Sequence, residues 1–232
     1  AAAGVLLTLL VLLLVRDSPD CPELQRAGDS APGGRGEGLS RPLLGMVLLS
    51  AFLTGGPCGP GFSHLTVLYT SAGFSSGTAA LLMSYLGLVL IAAKVLYGWL
   101  SDRLGSRMAN SLIFGVFLAG FALCCLAPTR SLPLAAAAIT LTGLGMPLSS
   151  VTLSVWAGDL SAPEDYDRLV KWLSSAYMLG SLVTGPVPGL LADRFGGSYV
   201  PAYGLFLFFL LISMLLIQTV YRRTGVGGRP QR

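Results

Sequence analysis

Six stretches of this chain are each long and apolar enough to cross a bilayer: residues 43–70, 77–100, 108–127, 132–157, 169–191 and 200–221. A spanning helix needs about 20 apolar residues, because the hydrocarbon core is about 30 Å thick and a helix rises about 1.5 Å per residue. Inside a bilayer every backbone polar group must be paired within the protein, so segments of this kind fold as helices. Only 11% of the 232 residues are charged and 53% are hydrophobic, against about 25% charged in soluble domains. That is too little polar side chain to coat a water-soluble core of this size. The chain reads as an all-α integral membrane protein with the lipid bilayer as its surroundings.

The ends of the apolar region have different compositions. Residues 1–15, "AAAGVLLTLLVLLLV", are apolar but short, and they lack the basic start and small-residue cleavage site of a secretory signal. They read as the tail of a truncated transmembrane helix, and the chain as a fragment. Residues 16–42, rich in Pro, Gly and Ser, cannot bury a core and read as a linker. Residues 43–221 hold the six-helix bundle and 222–232 a C-terminal tail.

Lys and Arg in the connecting loops set orientation. Of fifteen, twelve lie in the linker, the 101–107 loop, positions 168 and 171, and the C-terminus. Two, Arg130 and Arg194, fall on the opposite side, and one, Lys94, lies within a span. The first group, C-terminus included, is expected in the cytoplasm, and the plasma membrane is the expected setting. The net charge of +4 thus reports membrane orientation, and no nucleic-acid partner is expected.

Few residues offer chemistry. Cys21, Cys58, Cys124 and Cys125 have no paired metal spacing, and three of them lie in or beside apolar runs. No disulfide framework, metal site or cofactor is expected. "GFSSG" at 73–77 matches the hydrolase pattern Gly-x-Ser-x-Gly. That motif requires a strand-to-helix turn with a histidine and an acid at hand, whereas this one lies between two spans in a chain whose single histidine is His64. No enzyme is expected.

The loops carry a repeat. "GWLSDRLG" at 98–105 and "GLLADRFG" at 189–196 both read Gly-x-Leu-small-Asp-Arg-apolar-Gly, offset by 91 residues. Three spans separate them, so they fall on opposite faces of the membrane, as in two inverted three-helix repeats. The segment Gly98-x-x-x-Asp102-Arg103-x-Gly105-x-Arg107 resembles the signature loop of the major facilitator superfamily. The apolar tail, basic linker and six spans resemble that superfamily's central loop and C-terminal half. "TGPVPGLLADRFGGSY" at 184–199 resembles monocarboxylate-transporter-like and oxalate/formate-antiporter-like members. The resemblance implies a twelve-helix transporter of which this chain is one half, with a missing N-terminal six-helix half as its partner. It also implies a cytoplasmic latch at Gly98, Asp102, Arg103, Gly105 and Arg107. The alternative is a solvated turn that only fixes topology.

Lys94 is the charge that the apolar pattern does not explain. By helical rise it lies about 10 Å above the end of its span. A charge at mid-bilayer costs at least about 2.5 kcal/mol, and such residues usually face the bundle or a wet cavity. Lys94 is expected to hold an anionic substrate, with Tyr97 adding a hydroxyl and Gly87 and Gly98 clearing space. Snorkelling to the interface and a buried ion pair are the competing readings. In monocarboxylate-transporter-like proteins a basic residue, usually Arg, sits at this position before the loop glycine and binds the substrate carboxylate. Here it is Lys, and the acid one turn earlier is Leu90.

Other residues carry weaker expectations. His64 has a side chain suited to proton coupling, or is an ordinary polar contact. Gly55, Gly56, Pro57, Gly59 and Pro60 are expected to break the first span, either as a gate or as a packing kink. Gly185 and Pro186 are expected to bend the fifth, with Gly189 allowing close approach. Trp156 and Trp172 are expected as interface anchors. Ser149, Ser150, Thr152 and Ser154 are expected either to line a pathway or to bond between helices. The function expected is secondary transport of a small organic anion, a monocarboxylate, by alternating access. The competing class is a non-transporting, receptor-like or scaffold protein of the same fold.

Overall fold

The computed structural model describes residues 39–226, which are helical throughout apart from short turns, with no strand among the described residues. The helix tail expected at 1–15, most of the 16–42 linker and the end of the C-terminal tail lie outside the described residues.

The first apolar stretch forms α1 (Arg41–Gly56), a π-helical turn (Pro57–Gly61) and α2 (Leu65–Ser71). Pro57 and Pro60 supply no N–H and crowd the preceding carbonyls, so the α-helical ladder cannot continue through them. The Gly61 carbonyl accepts the hydroxyl of Tyr203 at 2.7 Å, which pairs one of the groups at the break. Next comes α3 (Ser76–Leu104), started by Ser75, whose hydroxyl accepts the Thr78 N–H at 3.1 Å. Gly105 ends it with φ 82° and ψ 153°, a region open essentially to glycine alone. The chain then reverses into α4 (Ser106–Cys124).

The fourth apolar stretch is not one helix. It forms α5 (Leu132–Gly145), a 3-10 turn (Met146–Ser149) and α6 (Val151–Leu160). Pro147 in the turn is the residue that cannot extend the α-helical ladder. The fifth stretch is likewise divided, into α7 (Tyr166–Thr184) and α8 (Val187–Arg194), and α9 (Val200–Thr224) closes the series.

Five helical stretches are long and apolar enough to cross a membrane: Arg41–Gly61, Ser76–Leu104, Ser106–Cys124, Leu132–Ser149 and Val200–Thr224. Of the six apolar stretches read from the sequence, five contain such a helix. The 169–191 stretch is the exception: α7 carries Asp167, Arg168 and Lys171 in its first two turns, and Pro186 separates it from an α8 of 8 residues.

α1 packs on α7 and α9, α4 packs on α3, α5 and α9, and α3 also packs on α5. The core between them is aromatic. Phe121 has ring centroids of Phe117, Tyr203 and Phe206 at 4.9, 5.4 and 6.5 Å. Ser50 on α1 and Ser213 on α9 exchange bonds, each hydroxyl donating to the other's carbonyl at 3.1 and 3.0 Å. Trp156 is not the interface anchor its place near a helix end suggested. It is fully buried and stacks on Phe114 at 6.3 Å, whereas Trp172 is 56% exposed.

Candidate functional site

α3 turns a narrow stripe inward: Ala79, Leu82, Leu86, Val89, Ala93 and Tyr97. Lys94 follows Ala93, so at about 100° per residue it leaves that stripe, and its side chain is exposed. It stands ten residues before Leu104, the last residue of α3, or about 15 Å by helical rise. A Cβ added at Gly87 or at Gly98 would meet nothing within 4 Å. The space those glycines were expected to clear is therefore an open face.

Tyr97, expected beside Lys94, is turned inward. It is 0% exposed and its hydroxyl donates to Asn110 Oδ1 at 2.7 Å. Three steps along a helix leave the two side chains about 60° apart, but Tyr97 falls within the inward stripe and Lys94 just outside it.

Tyr97 opens a buried polar chain. Asn110 Nδ2 donates to the Tyr221 hydroxyl at 3.2 Å, and that hydroxyl donates to Asp159 Oδ2 at 2.6 Å. Four helices, α3, α4, α9 and α6, are thereby tied at one end of the bundle. Sequence reasoning missed this chain. Its signal was Asn110, the single asparagine, placed in an apolar span where an amide has to find partners. On the same face of α6 as Asp159, Thr152 Oγ1 and Trp156 Nε1 are buried without a hydrogen-bond partner. Of the other hydroxyls there, Ser149 donates locally to the Met146 carbonyl at 2.8 Å, and Ser150 and Ser154 are exposed.

The α3–α4 turn follows. Asp102 is exposed, and Arg103 sets its guanidinium over the Trp99 ring at 4.6 Å. Gly98 is half-buried on α3, and Gly105 is buried at the sharp reversal. Arg107 uses its backbone: its carbonyl accepts the Ser111 hydroxyl at 2.9 Å and Gln218 Nε2 at 3.4 Å.

At the α1 break, a Cβ at Gly55 would overlap the Tyr177 carbonyl, and one at Gly180 would overlap the Phe52 carbonyl. Gly59 faces Ser181 in the same way, and Gly56 lies against Phe206 and Thr184. Pro57 and Pro60 are buried beside them. These residues set α1 and α7 backbone to backbone. Gly185 meets only carbonyls of its own helix, Pro186 is exposed, and Gly189 faces open space, so no close approach is made there. His64 is half-buried, with Nδ1 2.9 Å from the Pro60 carbonyl and its ring stacked on Tyr199 at 6.0 Å.

Comparison with known proteins adds the family. The sequence model described as "Major Facilitator Superfamily" matches residues 1–167 and, in an overlapping match, 64–231. Monocarboxylate transporter 12 of Rattus norvegicus is 28% identical over 162 residues, covering 69% of this chain and 33% of that protein. The Homo sapiens protein of that name is 28% identical over 69% of this chain and 31% of its own length. The Xenopus laevis one is 25% identical over 77% of this chain and 39% of its own length. This chain therefore spans between 31% and 39% of the length of these relatives.

Proposed function

The chain belongs to the Major Facilitator Superfamily and is an integral multi-pass membrane protein of monocarboxylate-transporter-like kind, and from that premise we propose that it carries small organic anions, monocarboxylates, by alternating access. Membership points to a transporter of small solutes rather than to an enzyme. In this reading the chain is the C-terminal six-helix half, built from two inverted three-helix repeats, with α7 and α8 together making the fifth of its six crossings. The other half lies N-terminal to it. The C-terminus is cytoplasmic and the membrane is the plasma membrane.

The observation that carries the proposal is Lys94, a single ammonium exposed within an apolar span, ten residues from its end. An ammonium there is costly in lipid and so belongs on a wet or partnered face. On such a face it attracts a carboxylate where few other charges compete. Lys binds as a point charge on a flexible stem, without the flat fork of Arg. Tyr97, held inside the bundle, has no part in that contact. The 98–107 turn serves as the cytoplasmic latch, with Gly105 making the reversal and Asp102, Arg103 and Arg107 available to the other half. Gly55 to Pro60 give α1 its broken, movable segment, and Gly185 and Pro186 do the same for α7. His64, at the far end of that broken stretch, is the candidate for proton coupling.

The test is uptake of labelled small carboxylates by the full-length protein and by its Lys94→Ala and Lys94→Arg variants. Loss of at least about ten-fold in Lys94→Ala, with recovery in Lys94→Arg, supports the anchor. Unchanged uptake in Lys94→Ala would remove it. The second reading, a receptor-like protein of the same fold, rests on Leu90 standing where the resemblance places an acid. It predicts a saturable carboxylate response without flux.

A further inference from the structure

Arg130 is one of the two basic residues on the sparsely charged side of the bundle, and the loop repeat accounts only for the other, Arg194. It lies between α4 and α5, at the end opposite the 98–107 turn. It is the one non-glycine residue with positive φ among the described residues, at 55°. Its side chain is clasped: Nε donates to the Ala72 carbonyl at 2.9 Å. The guanidinium lies against Gly73, whose own φ is 97° and whose missing Cβ makes the room.

Beside this clasp is a cleft of about 260 Å³, lined by Arg130, by the hydroxyl-bearing Ser71 and Ser198, and by the apolar Leu68 and Val200. No carboxylate lines it among the described residues. The volume falls just below the usual drug-sized range of about 300–1,000 Å³, which suits a small ligand. Arg carries five N–H donors, and a described carbonyl engages one of them here.

We propose that this cleft is a second anion site, at the mouth of the bundle, which takes a small carboxylate from solution on Arg130 with Ser198 as hydroxyl partner. Clasping does for this side chain what binding would otherwise have to do: it fixes the guanidinium before the ligand arrives, so less side-chain freedom is lost on binding. The fixed fork offers paired N–H groups to both carboxylate oxygens. The apolar walls suit the short hydrocarbon end of such an anion. The site stands on the cleft itself and does not depend on Lys94 or on flux.

The test uses trifluoroacetate as the probe, followed by fluorine NMR against the full-length protein in a neutral detergent. Saturable broadening is expected with the wild type and with Lys94→Ala. With Lys94→Ala as the background for both cleft variants, affinity should fall at least about ten-fold in Arg130→Gln, the loss of one charge-assisted contact. A similar fall is expected in Ser198→Asp, which puts a competing charge in the cleft and leaves the Ala72 clasp in place. That second variant decides the matter if Arg130→Gln does not fold. Absence of saturable broadening in Lys94→Ala, or affinity unchanged from that background in either cleft variant, overturns the proposal. Broadening lost with Lys94→Ala would leave the transport reading standing while this one falls.

Discussion

At the scale of single residues, the polar groups that matter most for holding the bundle are inside it. Asn110 accepts from Tyr97 and donates to Tyr221, which in turn donates to Asp159. Asn110 is 0% exposed, so its partners have no bulk water beside them in the folded chain. Asn110→Ala leaves the two tyrosine hydroxyls short of a partner, at about 1–3 kcal/mol for each group that stays unpaired. The expected outcome is a clear fall in the thermal-unfolding midpoint of the full-length protein in detergent. Lys94→Ala, on an exposed position, should leave the midpoint near its wild-type value. An unchanged midpoint in Asn110→Ala would mean the chain contributes nothing to stability. The contrast with Lys94 also explains why the sequence pointed to one and passed over the other. A lysine in an apolar run is conspicuous by charge, whereas an asparagine and two tyrosines become a network only when three helices bring them together.

At the scale of elements, the division of the chain into helices was legible because its punctuation is local. Proline removes an N–H wherever it stands, and Gly105 marks the reversal between α3 and α4. The break at Pro57 to Gly61 follows from residues within one turn of each other. The kink between α5 and α6 was missed because Pro147 is a lone proline inside an otherwise strong apolar run. The division of the 169–191 stretch falls where Gly185 and Pro186 were expected to bend it, whereas the charged start of α7 was weighed only against total length. Which glycines touch a neighbour was legible only at the α1 break, where a packing kink was one of the two readings. Gly87 and Gly98 face open space, Gly189 likewise, while Gly55 and Gly180 lie on the backbone of the facing helix. Sequence spacing gives the same pattern for both kinds. The difference is testable: Gly180→Ala must push α7 off the Phe52 carbonyl, with an overpacking cost of at least about 1–3 kcal/mol. We expect loss of folded protein, read as a fall in the monodisperse peak on size-exclusion chromatography. Gly87→Ala should match the wild type, since its Cβ meets nothing. Equal behaviour of the two variants would mean that α1 and α7 are not packed as described.

At the scale of the whole molecule, burial is unevenly shared. Among the candidate spans, Leu132–Ser149 is 50% buried within the chain and Ser76–Leu104 only 28%. The least covered span is thus the one that carries Lys94. Lipid can cover Leu81 and Trp99 without cost, but an ammonium needs water or a partner charge. By helical geometry, Gly87 and Gly98 lie on the Lys94 side of α3, and Leu81 and Trp99 lie across it. If one flank faces a wet path between two halves and the other faces lipid, a water-soluble thiol reagent should tell them apart. In the full-length protein with its accessible cysteines replaced, cysteines at positions 87, 94 and 98 should react, while those at 81 and 99 stay protected. A small carboxylate should slow the reaction at 94 if the anion sits there. Reaction at all five positions would mean that α3 has no lipid-facing side. Protection at all five would place Lys94 against lipid with its head at the interface, and the transport reading would then need another anchor.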